Sequence, residues 1–370
     1  MTPDYPALRA IGWPHEGAPA DSNWAELMAA HAAARPARVV EQHRSGYIVA
    51  ENIETSYAVE SLPDWQRPRL PSDQRPAVGD WLLVTGGPDG NAQAAALLPR
   101  RTTIKRSSAG KHYGQQLIAA NIDIVFIVCS LDGDFNPRRI ERYLLLVRGG
   151  ARPVVVLTKT DIAAERDPSG VDDTRAAVAE LEAQDVAVCN VNATDAASVA
   201  QLRAWLGPGT TAVLVGSSGV GKSTLTNTLL GEQRMKTGAV RATDARGRHT
   251  TTHRALIPLA SGACLIDTPG MRELKPTGEE DLAEDGFADV EALATECRFR
   301  DCRHASEPGC AVRAAIDAGT LEPGRFANYQ KLRDEIAGAA GQLATQTARQ
   351  SAAKKHPGTT RKPPAKPRRR

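Results

Sequence analysis

No run of about 18 uncharged apolar residues occurs in this 370-residue chain, so no transmembrane helix is expected. The first residues, "MTPDYPALRA", lack a basic stretch leading into an apolar one, which argues against a secretory signal and makes the cytoplasm the expected location. Acidic residues are absent after Glu335, whereas Arg349 to Arg370 carries nine Lys or Arg. The formal net charge is +3, so the residues before this tail sum to −6. A basic, Pro-rich tail cannot bury apolar surface. Disorder is expected from about residue 346 to 370, with phosphate backbone as the partner or, alternatively, a merely solubilising role.

What is present is ordinary for a globular protein, 41% hydrophobic and 24% charged residues, with room for two or three domains. Residues 1–36, with the Ala-rich "WAELMAAHAAARPAR", read as an N-terminal extension. From 37 to 102, short alternating runs such as "GYIVAENI" and "VGDWLLVTG" are broken by Gly, Pro, Asp and Asn. This is the pattern of a small β-barrel; an OB fold suits the length, and strand count alone leaves an SH3-like barrel open. From 103 to 279, strands alternate with helices, which implies a parallel sheet with crossovers. In "NPRRIERYLLLVRGG", Asn136 is the expected helix N-cap, Pro137 opens the first turn, and Gly149 and Gly150 close the helix. "PVVVLTKTD", "VAVCNVNA", "TAVLVGSS" and "GACLIDTPG" are strands that each run into a polar loop, and such loops converge at the carboxyl edge of a parallel sheet.

"GSSGVGKST" follows a strand and opens a helix, as a phosphate-binding loop requires. Gly216, Gly219 and Gly221 let the backbone N–H groups of a loop that also holds Ser217, Ser218 and Val220 curl round phosphate oxygens. Lys222 is placed to reach the β- and γ-phosphates, Ser223 to ligate Mg²⁺, and Thr224 continues the helix. By itself the loop does not separate a GTPase from an ATPase or a metabolite kinase. Asp267 of "DTPG" is sited for the Mg²⁺ shell, and Gly270 can offer an N–H to the γ-phosphate. In "RGRHTTTHR", one threonine of 250–252, by choice Thr251, would complete the Mg²⁺ coordination; a Thr-rich strand edge is the alternative. Met271 stands where many GTPases keep a water-orienting glutamine, so His249 is the candidate for that task, against an exposed histidine with no chemical role.

Guanine would be read by "TKTD": Thr158, Lys159, Thr160 and Asp161. The Asp161 carboxylate can accept from the N1–H and the exocyclic amine of guanine, a pattern adenine lacks, and the Lys159 stem would lie along the ring. In "VNAT", Asn192 and Ala193 form a second base loop, with the Ala193 N–H aimed at O6. Both base loops precede the phosphate loop, the reverse of the usual GTPase order, so the chain reads as circularly permuted, its ends moved to surface positions. Thr158 replaces the usual asparagine, with lower nucleotide affinity the expected result.

Six cysteines divide into two groups. Cys129, Cys189 and Cys264 sit in apolar strand-like runs and are expected to be buried and inert. Cys297, Cys302, His304 and Cys310 in "CRFRDCRHASEPGC" give three thiolates and an imidazole, the ligand set of a closed, structural Zn²⁺ site within a helical module at 280–345.

Together the barrel, the permuted order, "GSSGVGKST", "GRHTTTHR", "DTPG" and the cysteine module resemble the RsgA (YjeQ) family of small-ribosomal-subunit biogenesis GTPases over about residues 37–335. The resemblance implies an α/β fold: a circularly permuted P-loop GTPase domain between an N-terminal OB-fold barrel and a C-terminal zinc-binding helical domain. It implies GTP hydrolysis to GDP and phosphate, one Zn²⁺, Mg²⁺ with the nucleotide, and binding to the 30S subunit and its rRNA late in maturation, with hydrolysis stimulated by the subunit and coupled to release. A monomer with no membrane partner is expected. His249 matches the switch histidine that looks catalytic in that family. The competing class is a non-enzymatic RNA-binding protein that holds nucleotide as a structural ligand.

Overall fold

The computed structural model describes residues 3–43, 46–67, 70–71, 74–107, 115–131, 135–147, 150–159, 174, 178–179, 181–182, 186–231, 255–267 and 275–355, with 285 and 349–355 described as backbone only. Two short helices, α1 (Tyr5–Arg9) and α2 (Ser22–Ala30), precede the first strand. Strands β1 (Arg35–Gln42), β2 (Gly46–Ala50), β3 (Ser56–Glu60), β4 (Trp81–Gly87) and β5 (Gly90–Leu97) then pair in the order β1-β2-β3-β5-β4, and β4 returns to β1. All these pairings are antiparallel except β3 with β5. The closed five-strand barrel is the OB-type Greek key. Alternation of burial along β3, with Tyr57 and Val59 inside, shows one face turned to the barrel core.

A hairpin the sequence reading does not anticipate, β6 (Thr103–Ser107) with β7 (Gln115–Ala120), leads into the nucleotide-type domain. There follow β8 (Ile124–Ser130), α3 (Pro137–Val147), β9 (Arg152–Thr158), β10 (Ala187–Val191), α4 (Ala196–Val199), β11 (Thr211–Val215), α5 (Lys222–Leu230), β12 (Ala255–Pro258) and β13 (Cys264–Asp267). In space the strands run β10-β9-β8-β11-β13-β12, parallel apart from β12. β8 is buried at every position, as a central parallel strand must be. The strands that carry the base loops therefore lie on one side of β11 and the Asp267 strand on its other side, although the base strands come first in the chain.

At its far edge this sheet does not stop. β12 pairs with β1 of the barrel at Ala255 and Glu41, so both domains share one eleven-stranded sheet. The described N-terminal segment, residues 3–36, is part of the same core: Leu8, Ile11, Trp13 and Trp24 are buried in one cluster with Trp81 of the barrel and Val125 and Ile127 of β8. The Trp24 indole N–H donates to the Pro99 carbonyl at 2.8 Å. Fully buried Arg38 of β1 donates to Gly12 O at 2.8 Å, Thr211 Oγ1 at 3.0 Å and Asn121 O at 3.3 Å, tying N-terminal segment, barrel and sheet together.

Three further helices complete the described chain: α6 (Ala288–Thr295), α7 (Ala311–Asp317) and α8 (Pro323–Lys355), the last running beyond residue 346, where composition places the start of the tail. Leu145 of α3 belongs to their hydrophobic cluster, with Phe287, Val290, Phe326 and Leu332. No described helix is long and apolar enough to cross a membrane.

Candidate nucleotide site and metal centre

β11 ends at Val215, and Gly216 turns the chain at φ +141°; a side chain there would meet the Val128 carbonyl at 2.2 Å, so only glycine fits. Gly219 and Gly221 also hold positive φ, and α5 starts at Lys222. Ser223 and Thr224 thus occupy the first helical turn, where free backbone N–H groups favour an anion. The Lys222 ammonium donates to the carbonyls of Gly216 (2.7 Å) and Ser217, lying across the loop where phosphate oxygens would take over those bonds.

Thr158 and Ala193, from the two loops expected to read the base, lie beside this loop. Thr158, fully buried at the end of β9, donates its hydroxyl to the Val220 carbonyl at 2.7 Å, with the Cys129 carbonyl at 3.2 Å. A hydroxyl has one proton, so the shorter bond takes it. Where threonine stands in place of the usual asparagine, its hydroxyl ties β9 to the phosphate loop. Lys159 follows at φ +58°, the left-handed turn by which the chain leaves the strand. Thr160 and Asp161 lie outside the described residues.

Ala193 is buried, and its carbonyl accepts from Thr228 of α5 at 2.7 Å. The Asn192 side chain accepts from the N–H (3.0 Å) and hydroxyl (2.7 Å) of Thr194, which makes the segment expected to form the second base loop a fixed turn. A methyl group added at Gly221 would touch Thr158 Oγ1 at 3.7 Å and Ala193 Cβ at 3.8 Å, so three loops distant in sequence meet at one point.

Asp267 closes β13 on the opposite side of β11. Burial raises its pKa and the nearby Lys222 charge opposes that rise; a bound divalent cation would hold it ionised. His249, Thr251 and Gly270 fall outside the described residues.

One residue the sequence reading passed over reaches this site. Asn136 caps α3 as expected, its side-chain oxygen accepting from the N–H groups of Arg138 (2.9 Å) and Arg139 (3.3 Å), with Pro137 in the first turn. So oriented, Arg139 donates from Nη1 to the Ser217 hydroxyl at 2.8 Å. Its only sequence signal was its place early in the helix after β8.

The second centre joins Cys297, Cys302, His304 and Cys310, whose donor atoms all lie within 4.8 Å of one another. His304 Nδ1 is 3.5 Å from Cys297 Sγ and 3.4 Å from Cys310 Sγ, and these two sulfurs are 3.9 Å apart. Such edges suit a tetrahedron with Zn–N and Zn–S bonds of about 2.0–2.3 Å. The four residues fit zinc, and four protein donors leave no open position. Cys129, Cys189 and Cys264 are buried and form no disulfide.

Residues 97–277 match the family model described as RsgA GTPase. The chain is 65% identical over 366 residues, 98% of both chains, to the small ribosomal subunit biogenesis GTPase RsgA of Xanthomonas axonopodis pv. citri (strain 306). It is equally close, 65% over 365 residues and 98% of both chains, to the protein of the same name from Xanthomonas euvesicatoria pv. vesicatoria (strain 85-10). The first 36 residues and the basic tail therefore fall largely within the length shared with these relatives. Among solved structures, YjeQ from Thermotoga maritima superposes with a TM-score of 0.58 at 23% identity, covering 82% of this chain and 99% of that one. YloQ, a circularly permuted GTPase, gives 0.57 at 22%, covering 82% and 96%.

Proposed function

The chain belongs to the RsgA family of circularly permuted GTPases, a premise from which we propose that it binds the maturing 30S ribosomal subunit and its rRNA in the cytoplasm and hydrolyses GTP there. Hydrolysis to GDP and phosphate is stimulated by the subunit and ends with release of the factor. The observation that supports this best is the single sheet that carries a braced nucleotide site at one end and an RNA-type barrel at the other.

In this reading the phosphate loop, Gly216 to Thr224, holds the phosphates, and Lys222 exchanges its loop carbonyls for β- and γ-oxygens. Ser223, Thr251 and Asp267 hold Mg²⁺, which neutralises charge developing between the β- and γ-phosphates. Asp161 selects guanine, Lys159 lies along the base, Gly270 donates to the γ-phosphate, and His249 orients the attacking water. Zn²⁺ on Cys297, Cys302, His304 and Cys310 fixes the knuckle that carries Arg298, Phe299, Arg300 and Arg303. These four are exposed, and Phe299, at 41%, is one of two large exposed hydrophobic side chains among the described residues. An exposed ring among cationic groups is suited to stacking on an unpaired base while the arginines meet phosphates. The factor works as a monomer, with divisions at about residues 102 and 279; the divisions at 36 and 345 expected from composition give way to a shared N-terminal core and a continuous α8.

GTP turnover with and without purified 30S subunits tests the proposal. A large stimulation, abolished by Lys222→Ala, is expected; turnover indifferent to the subunit counts against it. His249→Ala should lower turnover while leaving GDP affinity unchanged. Phe299→Ala should weaken subunit binding about tenfold and Phe299→Trp should restore it, since base stacking contributes about 1–3 kcal/mol.

A further inference from the structure

α3 faces three ways. Ile140, Leu144 and Val147 are buried in the core of the sheet domain. Arg139 donates to the hydroxyl of Ser217 in the phosphate loop, and buried Tyr143 lies one turn on along the same face. Arg138, Glu141, Arg142 and Leu145 turn to the zinc module. Leu145 enters its hydrophobic cluster, which also includes the metal-ligating Cys310. Arg138 pairs with Glu322, and Arg142 with Glu335 at 2.7 Å.

At the centre of that face is Glu141, a carboxylate only 9% exposed. It accepts from Arg325 Nη1 of α8 at 3.0 Å and from Asn328 Nδ2 at 2.6 Å, and it pairs with Arg138 on its own helix. Arg325 is 5% exposed. Its other nitrogens donate to Asp289 of α6 at 2.8 and 2.7 Å and to the Gly286 carbonyl at 2.8 Å, and its guanidinium lies 4.9 Å from the centre of the Phe287 ring. The next residue, Phe326, meets the metal-ligating His304 ring edge-on, with centroids 5.7 Å apart. Two neighbours on one helix thus hold the nucleotide domain with one side chain and the metal knuckle with the other. An ion pair this buried is costly to break one side at a time, so the helix and the module move as one body.

We propose that Glu141 and Arg325 are positioning residues for GTP hydrolysis: they make α3 the connection by which docking of RNA on the zinc knuckle alters the phosphate loop at Ser217. The proposal rests on the subunit-stimulated activity given above and assigns the element that carries the stimulation. Neither residue touches nucleotide. Binding that shifts the knuckle drags Arg325, Glu141 and the whole of α3, and Arg139 changes its hold on the loop that cradles the phosphates. By linkage, nucleotide binding at the loop must shift the zinc module in return.

Glu141→Gln, Arg325→Gln and the double variant test this in the full-length, zinc-loaded protein. Turnover without subunits should stay within about twofold of wild type, while the subunit-stimulated part falls about tenfold in each single variant and no further in the double. Affinity for the subunit, measured in parallel, should be retained. Stimulation at the wild-type level in both single variants overturns the proposal, and so does a loss no greater than the loss of subunit binding. A second readout needs no ribosome. Amide hydrogen exchange at residues 286–292 and 325–332 should respond to a non-hydrolysable GTP analogue in wild type and not in Glu141→Gln. If wild type is not stimulated by subunits, the functional reading above fails; an exchange response that persists in Glu141→Gln overturns the α3 assignment whatever the subunit does.

Discussion

Thr158 shows how much one hydroxyl decides. Its proton holds the Val220 carbonyl of the phosphate loop at 2.7 Å, with both residues buried. Thr158→Val keeps the shape and leaves that carbonyl unpaired, which should weaken GDP binding about tenfold in a fluorescent-nucleotide titration, the cost of one orphaned buried acceptor. Thr158→Ser, which keeps the proton, should bind nearly as wild type. Glu307 is the counterpart at the metal knuckle. Its carboxylate accepts from the N–H groups of Arg303, Ala305 and Ser306 at 3.0, 2.9 and 3.0 Å, and N–H donors, its own and that of Arg303 foremost, hold its pKa at about 2. Those bonds fix the loop between Cys302 and Cys310. Glu307→Ala should speed zinc loss to a chelator about tenfold, in the range found when groups that orient metal ligands are removed.

At the scale of elements, local pattern made some features legible and long-range contact hid others. The parallel strands, the phosphate loop, the Asn136 cap and the Cys/His cluster announce themselves through apolar runs, glycine spacing and close ligands, all written within a few residues. The hairpin of β6 and β7 has no such signal, because its strands are short and half-polar. Arg139 at the loop and Glu141 against α8 owe their roles to partners 78 and 184 residues away, which no spacing rule reaches. The N-terminal 36 residues looked like an appendage for the same reason: Trp13 and Trp24 find their core only when Trp81 and β8 are in place. Trp24→Ala should accordingly cost ~3–5 kcal/mol, the penalty of truncating a buried tryptophan, read as a lower urea midpoint. An appendage would show no shift.

Across the whole molecule, the shared sheet and shared core predict how its parts melt. β1 continues the nucleotide-domain sheet through β12, Arg38 bonds to three segments at once, and the barrel, which keeps an interior cluster of its own, joins the domain that binds GTP through the shared core around Trp13, Trp24 and Trp81. Such a pair should unfold together, and nucleotide bound to one half should protect the other. A ligand at a hundred times its dissociation constant adds about 2.7 kcal/mol to the state that binds it. Trp13, Trp24 and Trp81 sit in the junction itself, so replacing Trp65 and Trp205 with phenylalanine leaves a fluorescence signal from that junction alone. On adding GDP and Mg²⁺, the midpoint of that signal should rise with the midpoint of the far-ultraviolet circular dichroism transition, the two remaining coincident. A tryptophan midpoint that stays put while the circular dichroism curve shifts or splits would show the barrel unfolding on its own, and with it the failure of the continuous sheet to act as one cooperative unit.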